Sequence, residues 1–239
     1  VTDQTEVVQT QAPPSGRKPD LNEPTKFMSQ TIWIARHGNR LDFVNPEWFN
    51  TAERPYDPPL SEDGIEQAKQ LGQRLVGEGI VSIFASPFLR TVQTANEVAN
   101  ILDLPIQLES GLSEWLNPEW MSTVPERLPI AELQERFPRI NPSYTSRVMA
   151  HYPETNEMVL QRTAQTVQRL TAEFSEDILL VGHGASVVGC TQGLVGGTPE
   201  VKASLCCLVK LVRQEQQWVM ELNGDTSHLS QQEQVIRFH

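Results

Sequence analysis

Two short apolar runs, residues 31–35 (TIWIA) and 178–181 (ILLV), each lead into a histidine followed by glycine, in Arg36-His37-Gly38 and Gly182-His183-Gly184. Runs of this length without polar interruption read as strands buried on both faces, the condition met in a parallel sheet covered by helices. Such strands must be separated by crossover segments, and the intervening sequence has helical spacing. Ser61 reads as an N-cap followed by Glu62 and Asp63, with Ile65, Ala68, Leu71, Leu75 and Val76 on one face and Gly77 and Gly79 at the end.

A strand over residues 81–85 leads to Ser86-Pro87, which reads as an N-cap and first helical residue. The helix that follows carries Leu89, Val92, Ala95, Val98 and Leu102, with Arg90 in its first turn. Residues 158–174 and 184–195 are also helical in spacing, and 205–212 and 218–222 read as two further strands. This order predicts an α/β fold, a three-layer α/β/α sandwich with a mostly parallel central sheet. Ligands bind such sheets beyond the carboxyl ends of the strands, so His37 and His183 are expected to converge on one pocket.

The rest of the chain narrows the partners. Residues 1–30 are polar and contain QAPPSGRKPDLNEP, so they are expected to form a flexible arm without catalytic groups, ahead of a single domain over 31–239. A formal net charge of −11 argues against nucleic acid as a partner. No apolar run approaches the ~20 residues of a membrane span, so no membrane association is expected. Cys190, Cys206 and Cys207 form neither a disulfide framework nor a metal-ligand set and read as buried free thiols of a reducing compartment. The first ten residues lack the features of a secretory signal, and a cytoplasmic location is the default expectation. The oligomeric state is left open.

A histidine acts as a nucleophile only while one ring nitrogen is unprotonated, and the adjacent Arg36 disfavours the imidazolium by like-charge repulsion. Planar guanidinium groups match the charged equatorial oxygens of a transferring phosphoryl group, a role that suits Arg36 and Arg90, with His183 as a further donor. Each residue also has a plainer reading: Arg90 as a solvent-facing helix residue, each histidine as a satisfied structural ring. Cys207 and Arg213 satisfy C-x5-R by accident, since the residues between them are strand-like and lack glycine, and Gly184-Ala-Ser186 fails G-x-S-x-G at Val188. No P-loop, dinucleotide or H-E-x-x-H pattern is present.

The segments TIWIARHG, ASPFLRTVQTA, GLSEW and LLVGHG, in this order, resemble the histidine phosphatase, or phosphoglycerate mutase-like, superfamily over residues 31–222. Arg40, the DPPLSEDGIEQ stretch at 57–67, and Glu114-Trp115 are similar to the Sts-type branch. The resemblance implies a phosphatase with His37 as the phosphorylated nucleophile, Arg36, Arg90 and His183 as phosphate ligands, and Glu114 as the proton donor, without metal or organic cofactor. Its substrate would be a phosphorylated small molecule or phosphoprotein. Glu109 lies close enough to compete with Glu114 for the acid role. Arg40 either contacts the substrate or pairs with Asp42 or Asp57. Trp48, Phe49, Trp115 and Trp120 either wall a pocket for aryl groups or anchor their loops. A mutase is disfavoured because NRLDFVN after the first histidine and the tryptophan after Glu114 depart from the mutase pattern. A non-catalytic phosphate-binding module is the alternative from another class.

Overall fold

The computed structural model describes residues 29–231; all but the last two residues of the expected arm, and the C-terminal residues 232–239, lie outside them. The elements run β1 (Thr31–Arg36), α1 (Leu41–Val44), α2 (Trp48–Thr51), α3 (Glu62–Arg74), β2 (Ser82–Ala85), α4 (Leu89–Leu102), β3 (Ile106–Leu108), α5 (Ile130–Arg136), α6 (Asn156–Glu173), β4 (Ile178–Gly182), α7 (Gly184–Val195), β5 (Leu208–Gln214) and β6 (Gln217–Asp225). One six-stranded sheet has the order β3-β2-β4-β1-β5-β6. The strands β3, β2, β4 and β1 are mutually parallel.

The two faces of this sheet explain the unbroken apolar runs. Trp33, Ala35, Ile83, Ala85, Leu179 and Val181 point to one side, into a core completed by Leu71 of α3 and Val92, Ala95 and Val98 of α4. Ile32, Ile34, Phe84, Ile178 and Leu180 point to the other, against Val167 and Leu170 of α6 and Val187 and Cys190 of α7. Alternate residues of each strand thus meet a different helical layer, giving the expected α/β/α sandwich.

The last two strands depart from the parallel rule: β5 is antiparallel to β1, and β6 to β5. Only Glu215 and Gln216 separate β5 from β6, and Glu215 takes a left-handed φ of 57°, as a tight hairpin requires. The three-residue strand β3 and the short helices α1, α2 and α5 have no counterpart in the sequence reading, being too short to show a period.

The start of α4 corrects that reading. The helix begins at Leu89 rather than at Pro87, and its N-cap Phe88 supplies no side-chain cap. The cap comes from another part of the chain: Asp57 Oδ1 accepts from the Leu89 N–H at 2.8 Å. Ser86 Oγ keeps only a long contact from the Phe88 N–H, at 3.4 Å, and is buried in the interior.

The loop after β1 is pressed against α3. A Cβ on Gly38 would lie 2.5 Å from the Gly64 carbonyl oxygen, and one on Gly64 would lie 2.1 Å from the Asn39 carbonyl oxygen. Backbone meets backbone there, with no side chain able to give way. Gly64→Ala should therefore destabilise the protein by about 1–3 kcal/mol despite alanine's better helix propensity, read as a lower midpoint in urea unfolding; an unchanged or higher midpoint would contradict this packing.

Candidate active site

Parallel pairing of β1 with β4 sets Arg36 opposite Gly182, and the His37 N–H donates to the Gly182 carbonyl at 3.0 Å. His37 and His183 therefore leave adjacent strand ends, with ring centroids 5.3 Å apart. Ser186 holds the second turn in place: its hydroxyl accepts from the His183 N–H and donates to the Leu112 carbonyl.

The His37 ring is fully buried, and its Nδ1 lies 2.7 Å from the Gly38 carbonyl oxygen. A carbonyl only accepts, so Nδ1 carries the proton and the lone pair resides on Nε2. That nitrogen has no hydrogen-bond partner. Burial, then the charges of Arg90 and Arg36, hold the His37 pKa well below its ordinary value. The ring is consequently neutral at physiological pH.

Arg90 is 1% exposed, which excludes the solvent-facing reading. Its Nη2 reaches Glu114 Oε2 at 3.1 Å and His183 Nδ1 at 3.2 Å, while Nη1 lies 3.9 Å from Asp57 Oδ1. Neither Nε nor Nη1 has a hydrogen-bond partner, so buried donors remain for an anion. Burial and the charge of Arg40 press the Arg90 pKa down to about 10, against the upward pull of Glu114 and Asp57, and the group stays charged. Arg36 is buried as well; its Nη1 donates to the Ala203 carbonyl at 2.7 Å, fixing the guanidinium beside the first histidine.

Glu114 and Glu109 separate cleanly. Glu109 is committed to its own loop, accepting from the N–H groups of Gly111, Arg147 and Val148 and from the Tyr144 hydroxyl. Glu114 instead faces the cavity, with Oε2 3.2 Å from His183 Nδ1. Burial opposes its ionisation, but His183 and Arg90 outweigh burial and hold the carboxyl well below the usual carboxylate range. Burial likewise brings the His183 pKa down to about 4, against the pull of Glu114. On the far side of that ring, Nε2 lies 2.9 Å from the Ser86 hydroxyl, which can donate or accept and so tolerates either tautomer.

Arg40 pairs with Asp42 in a two-pronged contact, Nε to Oδ1 at 2.9 Å and Nη2 to Oδ2 at 2.6 Å, and its guanidinium lies over the Phe43 ring. It also lines a 360 Å³ cavity with Arg90, Glu114, Phe49, Tyr56 and Trp120. Trp48 and Trp115 anchor loops: Trp48 donates to the Pro55 carbonyl and Trp115 to that of Glu154. Asp57, Ser86, Tyr56 and Met121 are site-forming residues that the sequence reading did not assign to the pocket.

One ligating atom each from His37, Glu114 and His183 falls within 4.8 Å of the others, the one such cluster among the described residues. The Arg90 guanidinium is bonded to the same Glu114 oxygen, so a cation there would meet a fixed positive charge. An anion would not. The three cysteines are buried free thiols, as expected, and burial raises the pKa of each. Among the described residues no helix is long and apolar enough to cross a membrane.

Sheet order, helical layers and a pocket at the carboxyl ends of β1 and β4 define a phosphoglycerate mutase-like α/β protein. The family model of the histidine phosphatase superfamily (branch 1) matches residues 32–226, and the chain belongs to that superfamily. It is 31% identical over 213 residues to the human ubiquitin-associated and SH3 domain-containing protein A, covering 83% of this chain and 30% of that protein. It is 28% identical over 209 residues to the ecdysteroid-phosphate phosphatase of Drosophila melanogaster, covering 72% of this chain and 28% of that one. The chain thus spans less than a third of either relative. A crystal structure of the ecdysone phosphate phosphatase from Bombix mori in complex with tungstate superposes with a TM-score of 0.71 at 20% identity, over 88% of this chain and 98% of that one.

Two buried neutral histidines give stability a pH dependence of definite sign. Unfolded histidines bind protons near pH ~6.5, whereas His37 and His183 in the fold do so only well below that. The stability they contribute is full above about pH 6.5 and is lost as pH falls toward 4. Melting temperature should drop over that window, and His37→Gln should flatten the drop; parallel profiles for the two proteins would contradict the burial argument.

Proposed function

We propose that this domain hydrolyses phosphate monoesters through a phosphohistidine on His37, with phosphorylated small molecules or phosphoproteins carrying an aryl group as substrates. The observation that carries the reading is the bare, neutral Nε2 of His37 together with the buried Arg90, whose Nε and Nη1 have no hydrogen-bond partner. In the first step Nε2 attacks phosphorus, the bond to the leaving oxygen breaks, and Glu114 protonates that oxygen. In the second, water attacks phosphorus, Glu114 takes its proton, and inorganic phosphate leaves with His37 restored. Arg36, Arg90 and His183 stabilise the equatorial oxygens throughout, and Arg40 adds a donor at the mouth. None of these steps calls on a metal or organic cofactor.

The low proton affinity of Glu114 in the empty site rests on His183 and Arg90. A bound phosphate draws on the same Arg90 charge, so substrate raises the affinity of Glu114 for the proton that the leaving group needs. Substrate and Glu114 must share one proton between them, and kcat/KM should fall as pH rises through the free substrate's second phosphate ionisation.

The wall beyond the phosphate supports an apolar leaving group. Phe43, Phe49, Tyr56, Trp120 and Met121 supply the surface, and the one carboxylate at the outer wall, Asp42, is already matched by Arg40. A carboxylate-bearing phosphoester, as a mutase would handle, would meet only Arg40 at that outer wall, and Asp42 already matches its charge. The Drosophila melanogaster relative is a phosphatase, which supports hydrolysis.

Release of p-nitrophenol from p-nitrophenyl phosphate in the presence of chelator is expected, with His37→Ala lowering it by ~10³-fold or more. The wild type should prefer the aryl ester to 3-phosphoglycerate by at least ~10-fold in kcat/KM. Equal rates with and without His37 would refute the nucleophile, and equal rates on both esters would refute the aryl wall. Retention of an unhydrolysed phosphoester by the folded wild type would identify a binding module.

A further inference from the structure

Glu114 stands on a loop with no regular structure, directly after the 3-10 turn Ser110–Leu112. A carboxylate on such a loop samples many positions unless the backbone beneath it is held. Here the backbone is held by one side chain. Arg162 of α6 donates from Nη1 to the carbonyls of Gly111 at 2.8 Å and Ser113 at 3.1 Å, and from Nη2 to that of Glu114 itself at 3.1 Å. Its remaining donors meet Glu154, Nε to Oε1 at 2.5 Å and Nη2 to Oε2 at 2.7 Å. All five N–H groups of the guanidinium are thereby placed.

Glu154 closes the clamp from the other flank. Its Oε2 accepts from the Leu116 N–H, its own N–H donates to the Leu116 carbonyl, and its carbonyl accepts from Trp115 Nε1. The residues on both sides of Glu114 are therefore tied to one ion pair. Arg162 and Glu154 are 7% and 4% exposed, and neither lines the cavity. A buried ion pair is a poor device for stability alone, since apolar groups of similar volume do as well or better. A planar fork serving three carbonyls of one short segment is a good device for fixing an angle.

We infer that Arg162 and Glu154 are positioning residues that hold the Glu114 carboxyl in line with the leaving-group oxygen, an assignment that rests on Glu114 being the proton donor. A proton donor matters in proportion to how badly the leaving group needs the proton. p-Nitrophenolate departs readily without one, whereas phenolate is a stronger base and does not. Displacing Glu114 by a fraction of an ångström should therefore penalise phenyl phosphate far more than p-nitrophenyl phosphate. Damage to the fold would lower both alike.

The experiment measures kcat/KM for the two esters with wild type, Glu114→Gln, Arg162→Lys and the double variant Arg162→Met/Glu154→Gln. Arg162→Lys keeps a charge opposite Glu154, and the double variant leaves no buried charge unpaired, so at least one retains a cooperative melt for the comparison. Glu114→Gln should lose at least ~10-fold more on phenyl phosphate than on p-nitrophenyl phosphate. The folded Arg162 variants should lose in the same direction, by at least ~5-fold more on the phenyl ester. If Glu114→Gln shows that gap and the Arg162 variants lose equally on both esters, or lose nothing, the positioning role is wrong and the proton donor stands. If Glu114→Gln shows no gap, the proton-donor reading fails and takes the inference with it.

Discussion

Everything at the pocket depends on the parallel pairing of β1 with β4, in which Arg36 faces Gly182. Two strands in parallel register end at the same edge of the sheet, so residues separated by most of the chain emerge side by side. The His37 N–H bonded to the Gly182 carbonyl carries the ladder one residue beyond the strands, up to the rings themselves. Backbone hydrogen bonds, rather than the histidine side chains, thus set the separation of the two rings.

That arrangement concentrates charge in a dry place, and the surroundings are organised around the consequence. Arg90 is answered by Glu114 and, at longer range, Asp57, which also caps the helix that carries Arg90. Asp57 is itself held by opposing effects, burial raising its pKa while Arg90 and the Leu89 N–H lower it. The balance is left incomplete at Arg90, which lines the cavity and whose Nε and Nη1 have no hydrogen-bond partners, as His37 Nε2 has none. Unsatisfied buried donors cost stability, and they are tolerated where an anion completes the set. Neutral histidines belong to the same arrangement: guanidinium charge and burial both oppose a proton on the ring.

Much of this was legible in the chain. The continuous apolar runs at 31–35 and 178–181 announced strands covered on both faces, and Ser61 with its acidic followers announced α3 with its start correct to the residue. Ser86-Pro87 misled because a good local N-cap signal was overridden by Asp57 from a distant loop, which leaves Ser86 to serve His183. Arg90 was open between surface and interior because helical position alone does not say which way a first-turn residue faces. Glu109 and Glu114 were indistinguishable as neighbouring loop carboxylates until the loop showed four donors converging on one and the cavity opening before the other.

The sequence by itself determined the sheet-and-helix alternation, the placement of both histidines at strand ends and the superfamily, because buried strands need unbroken apolar runs and the turns after them need particular residues. Tertiary structure alone decided the antiparallel hairpin at the sheet's edge, the Asp57 cap, the Arg40–Asp42 pairing and the Arg162–Glu154 clamp beneath Glu114. Each of these is a contact between segments distant in the chain or oriented by a loop. Local periodicity reports how a residue relates to its neighbours within a turn or two, whereas the partner of a buried charge is chosen by whatever the fold brings within hydrogen-bond reach.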